Sequence, residues 1–329
     1  MKHAQVMLFL GKGGVGKTTC SVATAVQLAE RGRKVLLVSL DPAHNTADVL
    51  QQPLCAEKTS VTSKLDALEI DLEQLVDRYL SKTSASMRHT YRHLTVMNLE
   101  KMFEIIRYSP GIEEHATLEA LKGILSREAE GYDAIIFDTA PTGLTLRVLA
   151  LPSISRIWLD KLSHLRKSIL GLRSSIAHIH GVQSMALEGL EEPVATDEEN
   201  DGTIQELYHY RQETEHTLSV LTNPNLTSVI VVLNPEEMPF LETQRAAATL
   251  KKFQIPLKAV LINKVMQFQQ IPPEFEARIK TQTAMLERIQ NSFPDYAILQ
   301  ADWRQTEPRG LEELRHFHTG AVEFFQDYL

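Results

Sequence analysis

The chain has 329 residues, and its 43% hydrophobic and 23% charged content lies close to the globular average, which excludes a disordered chain. A formal net charge of -8 argues against a general nucleic-acid binder, because phosphate binding needs a positive field. Two cysteines, Cys20 and Cys55, are too few for a disulfide framework and indicate a reducing compartment. With no secretory leader and no run of about 18 apolar residues, we expect a cytoplasmic protein that touches membranes at most peripherally.

The N-terminal part of the chain predicts a βαβ unit. Residues 6–10 are continuously apolar, as expected for a strand covered on both faces, and residues 34–40 repeat this pattern. Between them, residues 18–31 carry apolar side chains at helical spacing and end at Gly32. Such a crossover connects parallel strands, so the unit predicts a parallel sheet. Further buried strands are predicted at residues 133–137, 228–233 and 258–262.

Two long stretches between these strands, residues 72–130 and 153–222, have helical character. From Ile154 to Ile179 apolar residues recur at steps of three and four, which predicts a long amphipathic helix. Its apolar stripe is either ordinary core or a groove that receives an apolar helix from a client. Residues 188–202 are acidic and predict a mobile loop, and residues 311–329 predict a closing helix.

A glycine-rich segment, GKGGVGKTT at residues 11–19, matches the P-loop pattern G-x-x-x-x-G-K-[ST] between a predicted strand and a predicted helix. Its glycines let backbone N–H groups point at phosphate oxygens, and the helix N-terminus adds a positive dipole end. Lys17 would contact the β- and γ-phosphates of ATP, and the Thr18 hydroxyl would take a Mg²⁺ position. The predicted nucleotide-binding residues of this segment are Gly11, Gly13, Gly14, Val15, Gly16, Lys17, Thr18 and Thr19.

Two carboxylates follow predicted strands. Asp41 comes after the second strand, at the sheet edge where open α/β sheets bind ligands. A carboxylate there can orient a water for in-line attack or bind the water shell of a metal; the alternative is a turn residue before Pro42. Asp138 directly follows four apolar residues of its strand, which is the Walker B arrangement, with the acid near Mg²⁺.

Lys12, directly after the first glycine, resembles the deviant Walker A class of ATPases. DPAHN at 41–45 and DTAPTGLTLR at 138–147 resemble switch I and switch II of the arsenite-pump and tail-anchored-protein-targeting ATPases. The resemblance implies that Asp41 activates the attacking water, while Thr18 and Asp138 manage Mg²⁺, with Asp41 able to contribute through a water. It also implies a homodimer in which Lys12 acts on the partner's nucleotide; the alternative is a solvated loop lysine.

Weaker matches to the same family follow in the same order. Glu236 lies in NPEE at 234–237, which is similar to the family's adenine-side loop, and Asn263 occupies the place of an asparagine that reads adenine. The stretch EPRGLE at 307–312 is similar to a terminal family segment. Without the resemblance, Glu236 and Asn263 would be read as surface loop residues. The resemblance therefore implies that both contact nucleotide.

The chain departs from the family pattern at three places. Many members carry a Cys-x-x-Cys pair for a shared zinc ion, but no cysteine follows Cys55 here, so we expect no structural zinc. Cys20 and Cys55 also make a poor metalloid trap, and Cys20 is read as a small buried residue. Leu144 replaces a histidine that is common in switch II, which leaves the coupling of the switches open.

Together these patterns predict an α/β fold: a P-loop NTPase with a mostly parallel central sheet flanked by helices, plus an inserted α-helical subdomain. The predicted ATPase core comprises residues 1–71, 131–152 and 223–329, and the predicted helical subdomain, a client-binding layer, comprises residues 72–130 and 153–222. The leading hypothesis is an ATP-hydrolysing homodimer that binds and delivers hydrophobic, tail-anchored-like membrane segments, with a hydrophobic membrane-protein client or a membrane receptor as its expected partner. The alternatives are an ATPase subunit that energises an arsenite or anion exporter, against which the few thiols count, and a nucleotide switch with another partner.

Overall fold

The computed structural model describes residues 4–41, 45–90, 105–128, 131–180, 184–187, 190–193 and 195–325. The chain forms two compact units. The first, called the sheet unit, comprises Met1–Leu72, Gly123–Leu149 and Val220–Leu329. The second, called the helical unit, comprises Glu73–Lys122 and Ala150–Ser219.

Strands and helices alternate along most of the chain. The strands are β1 (Gln5–Gly11), β2 (Val35–Ser39), β3 (Thr59–Ser60), β4 (Leu65–Glu69), β5 (Ala134–Asp138), β6 (Ser184–Leu187), β7 (Leu190–Pro193), β8 (Thr227–Leu233), β9 (Leu257–Val265) and β10 (Ala297–Asp302). The α-helices are α1 (Lys17–Glu30), α2 (Asn45–Leu50), α3 (Leu72–Thr90), α4 (Ile112–Glu128), α5 (Thr142–His180), α6 (Gly202–Leu221), α7 (Glu237–Lys252), α8 (Glu276–Ser292), α9 (Gly310–Arg315) and α10 (Ala321–Phe325). A short 3-10 helix covers Pro273–Phe275.

The sheet unit is built on one eight-stranded sheet in the order β10-β9-β8-β1-β5-β2-β4-β3 among the described residues. Each neighbouring pair is parallel except the pair β3 and β4 at one edge. The central strands β1, β2, β5 and β8 are almost entirely buried, because helices cover both faces of a parallel sheet. The predicted α/β fold with a mostly parallel central sheet is confirmed.

The register of the central strands brings the predicted acidic residues to one edge of the sheet. Phe9 of β1 lies opposite Asp138 of β5, which in turn lies opposite Ser39 of β2. Ser39 lies opposite Glu69, the last residue of β4. The carboxyl ends of these parallel strands therefore share one edge, where ligands bind in open α/β sheets.

The helical unit contains most of α5, a helix of 39 residues that continues through Pro152. The side chain of Asp201 joins α5 to the start of α6: its carboxylate accepts two hydrogen bonds from Arg166, at 3.0 and 2.6 Å, and one from the Ile204 N–H at 2.8 Å. Asp201 thereby caps α6, because a carboxylate that accepts an N–H in the first turn satisfies a group that lacks a partner within the helix.

Two sequence predictions outside the sheet are wrong in part. The predicted mobile loop at residues 188–202 contains strand β7, which pairs antiparallel with β6, while residues 188, 189 and 194 lie outside the described residues. The predicted closing helix at residues 311–329 is two short helices, because Gly320 takes a left-handed conformation at φ 69 and the Thr319 hydroxyl accepts the Ala321 N–H at 3.3 Å. Residues 326–329 lie outside the described part. Across the described residues, no helix is both long and apolar enough to cross a membrane.

Candidate nucleotide-binding site

The P-loop joins the end of β1 to the start of α1 at Lys17. Gly14 and Gly16 have φ values of 83 and 93, in the left-handed region that favours glycine. At Gly11 a Cβ atom would lie 2.3 Å from the Val232 carbonyl oxygen, so only glycine lets the chain turn against the neighbouring strand. The glycine pattern of the sequence therefore has a steric cause in this loop.

A cavity of about 660 Å³ lies beside the P-loop, within the usual size range of small-molecule sites. Of the residues predicted from the sequence, it is lined by Gly13, Gly14, Gly16, Lys17, Thr18, Thr19, Asp41 and Asn263. Gly11, Val15 and Asp138 are buried behind this lining, Lys12 is half-buried and Glu236 is exposed at the start of α7. The described residues that line the cavity therefore do not include Gly11, Lys12, Val15, Asp138 or Glu236.

Asp138 is fully buried at the end of β5. Burial raises the pKa of its carboxyl to about 7, although the nearby Thr18 hydroxyl and Lys17 ammonium lower it, and the charge of Asp41 raises it. Neither carboxylate oxygen makes a hydrogen bond of good geometry with any described residue. The Ser21 hydroxyl, which lies nearby, donates to the Thr18 carbonyl oxygen at 2.9 Å and not to Asp138. A buried carboxylate in this condition needs a cation or a proton as a partner.

The residues around Asp138 fit a magnesium ion. Mg²⁺ prefers oxygen ligands and is usually held by one or two carboxylates together with substrate phosphates. The unpartnered oxygens of Asp138, the adjacent Thr18 hydroxyl and Asp41, which is only 7% exposed, supply such oxygens. No group of three or more His, Cys, Asp or Glu side chains in the described part of the chain is arranged to hold a metal by itself.

Glu69 is a buried carboxylate at the same sheet edge that the sequence did not reveal. It is 6% exposed, and its Oε1 accepts the backbone N–H of Thr46 at 3.1 Å. Thr46 belongs to α2, which begins at Asn45, the last residue of the DPAHN segment. Glu69 therefore anchors the chain that follows Asp41; residues 42–44 between them lie outside the described part.

Asn263 of β9 contacts the P-loop directly. Its Nδ2 donates to the Val15 carbonyl oxygen at 2.8 Å, and its Oδ1 accepts the Lys264 N–H at 2.8 Å. The Lys264 ammonium lies 3.4 Å from the Gly14 carbonyl oxygen. The adenine-reading role that the family resemblance implies for Asn263 stays a prediction, and so does the nucleotide contact of Glu236.

The segment from Asp302 to Arg309 forms another wall of the cavity. The sequence analysis identified only its last residues, from Glu307 onward, through their similarity to a terminal family segment. The Trp303 N–H donates to the Val265 carbonyl oxygen at 2.8 Å, which attaches this segment to β9. The Arg304 guanidinium donates to the His316 carbonyl oxygen at 2.7 Å. The cavity thus has a cationic P-loop side and a wall that carries aromatic and charged groups.

The parallel sheet, the glycine-rich loop and the strand-end carboxylates define a P-loop ATPase core. A family model described as "Anion-transporting ATPase" matches residues 4–322, so the chain belongs to the anion-transporting ATPase family. The protein is an ATPase, which converts ATP and water to ADP and phosphate. The family resemblance drawn from the P-loop and the two switch segments is confirmed.

Curated relatives cover nearly the whole chain. A "Putative arsenical pump-driving ATPase 2" of Aquifex aeolicus is 35% identical over 314 residues, which are 95% of this chain and 97% of that protein. An "ATPase ASNA1 homolog" of Entamoeba histolytica is 30% identical over 93% of this chain and 90% of its own length. A "Putative arsenical pump-driving ATPase" of Halobacterium salinarum is 33% identical over 96% of this chain, which spans 44% of that protein.

Proposed function

We propose that the protein is a nucleotide-switched homodimer that hydrolyses ATP with Mg²⁺ and uses the cycle to bind and deliver hydrophobic, tail-anchored-like segments of membrane proteins. The helical unit is the proposed client-binding layer, and the sheet unit is the proposed ATPase core. One observation carries the choice of client: the apolar stripe of α5 faces outward.

The apolar stripe consists of large side chains that are between 42% and 75% exposed. Trp158, Leu165 and Leu172, for example, are 61%, 59% and 67% exposed. The full set is Ile154, Ile157, Trp158, Leu162, Leu165, Leu172, Ile176 and Ile179. The stripe is about 38 Å long at 1.5 Å per residue, which exceeds the roughly 30 Å apolar thickness of a bilayer. Its length therefore suits a transmembrane helix laid along it.

The buried face of α5 lies on the opposite side of the helix. Leu159, Ser163 and Leu170 are buried, and at 100° per residue they lie across the axis from the exposed stripe. Exposed apolar patches of this extent in soluble proteins mark protein or membrane interaction sites. An amphipathic pattern whose apolar side faces outward supports a helix-binding surface.

For hydrolysis, we propose that the P-loop amides and Lys17 bind the phosphates, while Thr18 and Asp138 hold Mg²⁺, which when bound neutralises charge on the phosphates. Asp41 lines the cavity just after β2, which supports a role in orienting and activating the attacking water. Lys12 is half-buried at the loop and, from the partner subunit of a homodimer, would stabilise charge that develops on the transferred phosphoryl group.

Capture of a transmembrane peptide tests the client proposal. A soluble carrier that ends in about 20 apolar residues is incubated with the protein, with and without ATP and Mg²⁺, and crosslinked complexes are measured. We expect capture that depends on nucleotide and falls in the double variant Leu165→Gln with Leu172→Gln. The matched control is Met238→Gln with Ile271→Gln, two exposed apolar residues of the sheet unit. Absence of capture in every nucleotide state, or equal capture by both double variants, would contradict the proposal.

The exporter hypothesis has its own measurement. The name of the Aquifex aeolicus relative makes arsenite a substrate worth testing. Cys20 is fully buried, and burial raises the pKa of its thiol, so it does not supply a reactive thiolate. We therefore expect ATP turnover to be insensitive to arsenite and antimonite. Stimulation by either anion would favour the exporter function, and failure of both this test and the capture test would favour a nucleotide switch with another partner.

A further inference from the structure

Glu69 is an acidic residue at a position of β4 that faces the apolar core. Leu65 and Ala67 precede it on the same face of the strand, and both belong to the same core cluster as Leu50 of α2. Glu69 itself is only 6% exposed. Burial of a carboxylate costs free energy unless hydrogen bonds compensate it, whereas an apolar side chain at this position would extend the core without that cost. The contacts of Glu69 therefore indicate what the acid contributes.

Glu69 holds the helix α2 from both ends. Its Oε1 accepts the backbone N–H of Thr46 at 3.1 Å, in the first turn of the helix, where an N–H has no partner within the helix. Its own backbone N–H donates to the carbonyl oxygen of Cys55 at 2.9 Å, after the helix has ended at Leu50. One residue of β4 thereby fixes both the chain that enters α2 and the chain that leaves it.

The connection that carries Asp41 is attached to β4 at both of its ends. Ser39, the last residue of β2, lies opposite Glu69 in the register, and its carbonyl oxygen accepts the Ile70 N–H at 3.1 Å. The chain leaves the sheet at this point and returns to the Glu69 side chain at Thr46. Fixing both ends of so short a connection limits the positions that Asp41, which lines the nucleotide cavity, can take.

We propose that Glu69 is a positioning residue for ATP hydrolysis, which holds the connection between β2 and α2 so that Asp41 stands where the attacking water needs it. The proposal rests on the proposed role of Asp41 and is independent of the proposed client. Loss of the carboxylate frees the start of α2, and a misplacement of about 1 Å at a reacting group can lower the rate about a hundredfold. Other residues, those of the P-loop, bind the phosphates, so the affinity for nucleotide changes much less than turnover.

The test compares two variants of Glu69. Glu69→Gln keeps a side-chain oxygen that can accept the Thr46 N–H, whereas Glu69→Leu has a similar size and no acceptor. Turnover at saturating ATP with Mg²⁺ and the dissociation constant of ADP are measured for each. We expect kcat to fall about tenfold or more in Glu69→Leu, with the dissociation constant changed less than about threefold, and kcat of Glu69→Gln to stay within about threefold of the wild type. Glu287→Leu, at an exposed position of α8 in the same unit, is the matched control and should change neither quantity.

A double variant separates the positioning of Asp41 from a general effect on stability. Because Glu69 acts through Asp41, Glu69→Leu should lower the residual kcat of Asp41→Asn by less than about twofold. Independent losses that multiply would overturn the proposal, as would a rise in the dissociation constant as large as the fall in kcat. If Asp41→Asn turns over at the wild-type rate, the water-activating role fails and the positioning role with it. If Asp41→Asn is slow and Glu69→Leu is not, only the positioning role is wrong.

Glu69→Asp covers the case in which Glu69→Leu does not fold by circular dichroism. It keeps the carboxylate but shortens the side chain by a methylene group, which draws the acceptor away from Thr46. We expect kcat to fall about tenfold there as well, with little change in the dissociation constant of ADP. Wild-type turnover in Glu69→Asp would show that the placement of the acceptor does not matter and would overturn the proposal.

Discussion

Replacement of Asp138 by asparagine should stabilise the ligand-free protein above neutral pH and weaken the binding of Mg²⁺ with nucleotide. The carboxyl is fully buried, its oxygens lack hydrogen-bond partners among the described residues, and burial raises its pKa to about 7. Above about pH 7 the folded protein therefore holds a charge there at a cost when no cation is bound. Asparagine has nearly the same shape and carries no charge, so it removes that cost.

The size of the effect follows from proton linkage. The ordinary pKa of the group is 3.8, so between pH 3.8 and pH 7 the folded state binds more protons than the unfolded state. Stability contributed by this group is therefore greatest at low pH and falls as the pH rises through that window, by about 1.4 kcal/mol per pH unit. From pH 5 to pH 8 the free energy of unfolding therefore falls by about 3 kcal/mol because of this group, and the Asp138→Asn variant should not show this fall.

Urea unfolding at pH 5 and pH 8, without Mg²⁺ or nucleotide, measures this difference. The chain has two tryptophans, so a Trp158→Phe background leaves Trp303 to report on the sheet unit. The change in the free energy of unfolding from pH 5 to pH 8 is taken for each protein, and comparing that change between the variant and its parent removes the titration of all other groups. Asp295→Asn, an exposed position of the same unit, is the control and should not change the pH dependence. An Asp138→Asn stability gain that is equal at both pH values would refute the reasoning.

Three further outcomes follow from the site and from the helical unit. Asp41→Asn should retain nucleotide binding and lose most hydrolysis, and unchanged turnover would remove Asp41 from the water-activating role. Lys12→Ala should lower turnover more than nucleotide affinity, and a monomer, identified by sedimentation, that hydrolyses at the wild-type rate would contradict its role in the partner's site. Asp201→Ala should destabilise the helical unit by about 2 to 3 kcal/mol in urea unfolding followed by Trp158, because the variant loses the two bonds from Arg166 and the cap on the Ile204 N–H. A change under about 0.5 kcal/mol would show these contacts to be unimportant.

Local sequence patterns predicted the central sheet because its strands are continuously apolar and its P-loop has a steric signature. They did not predict β4 or β10. In Leu65–Glu69 the acidic residues Asp66 and Glu69 interrupt the apolar run, and Ala297–Asp302 is half exposed along most of its length. Neither segment therefore shows the continuous apolar pattern of a buried strand. Each becomes a strand because a neighbouring strand pairs with it: β4 pairs with β2, and β10 pairs with β9.

The residues of the candidate site likewise fall into those that a local sequence pattern marks and those that only the fold brings together. The glycines, Lys17, Asp41 and Asp138 could be predicted as site residues from the sequence, because the pattern within one short segment marks each of them. Glu69 was missed because its role requires β4 to lie beside β2, and nothing in residues 65–69 alone signals a buried carboxylate. The bond between Asn263 and Val15 joins positions 248 residues apart, which no local pattern reveals.

The outward stripe of α5 also sets limits on how tightly a client can bind. Its eight large side chains are about half exposed. Covering each of them stabilises the complex by roughly 1 kcal/mol, or by about 8 kcal/mol in total. Association itself costs an estimated 4 to 15 kcal/mol, so one such surface supports weak, reversible capture at best. We therefore expect a single subunit to hold a transmembrane peptide no more tightly than the micromolar range. A nanomolar complex would require a second apolar surface, and the second subunit of a homodimer would supply it. In a dilution series, with dimerisation followed by sedimentation, we then expect the affinity for the peptide to rise with the fraction of dimer.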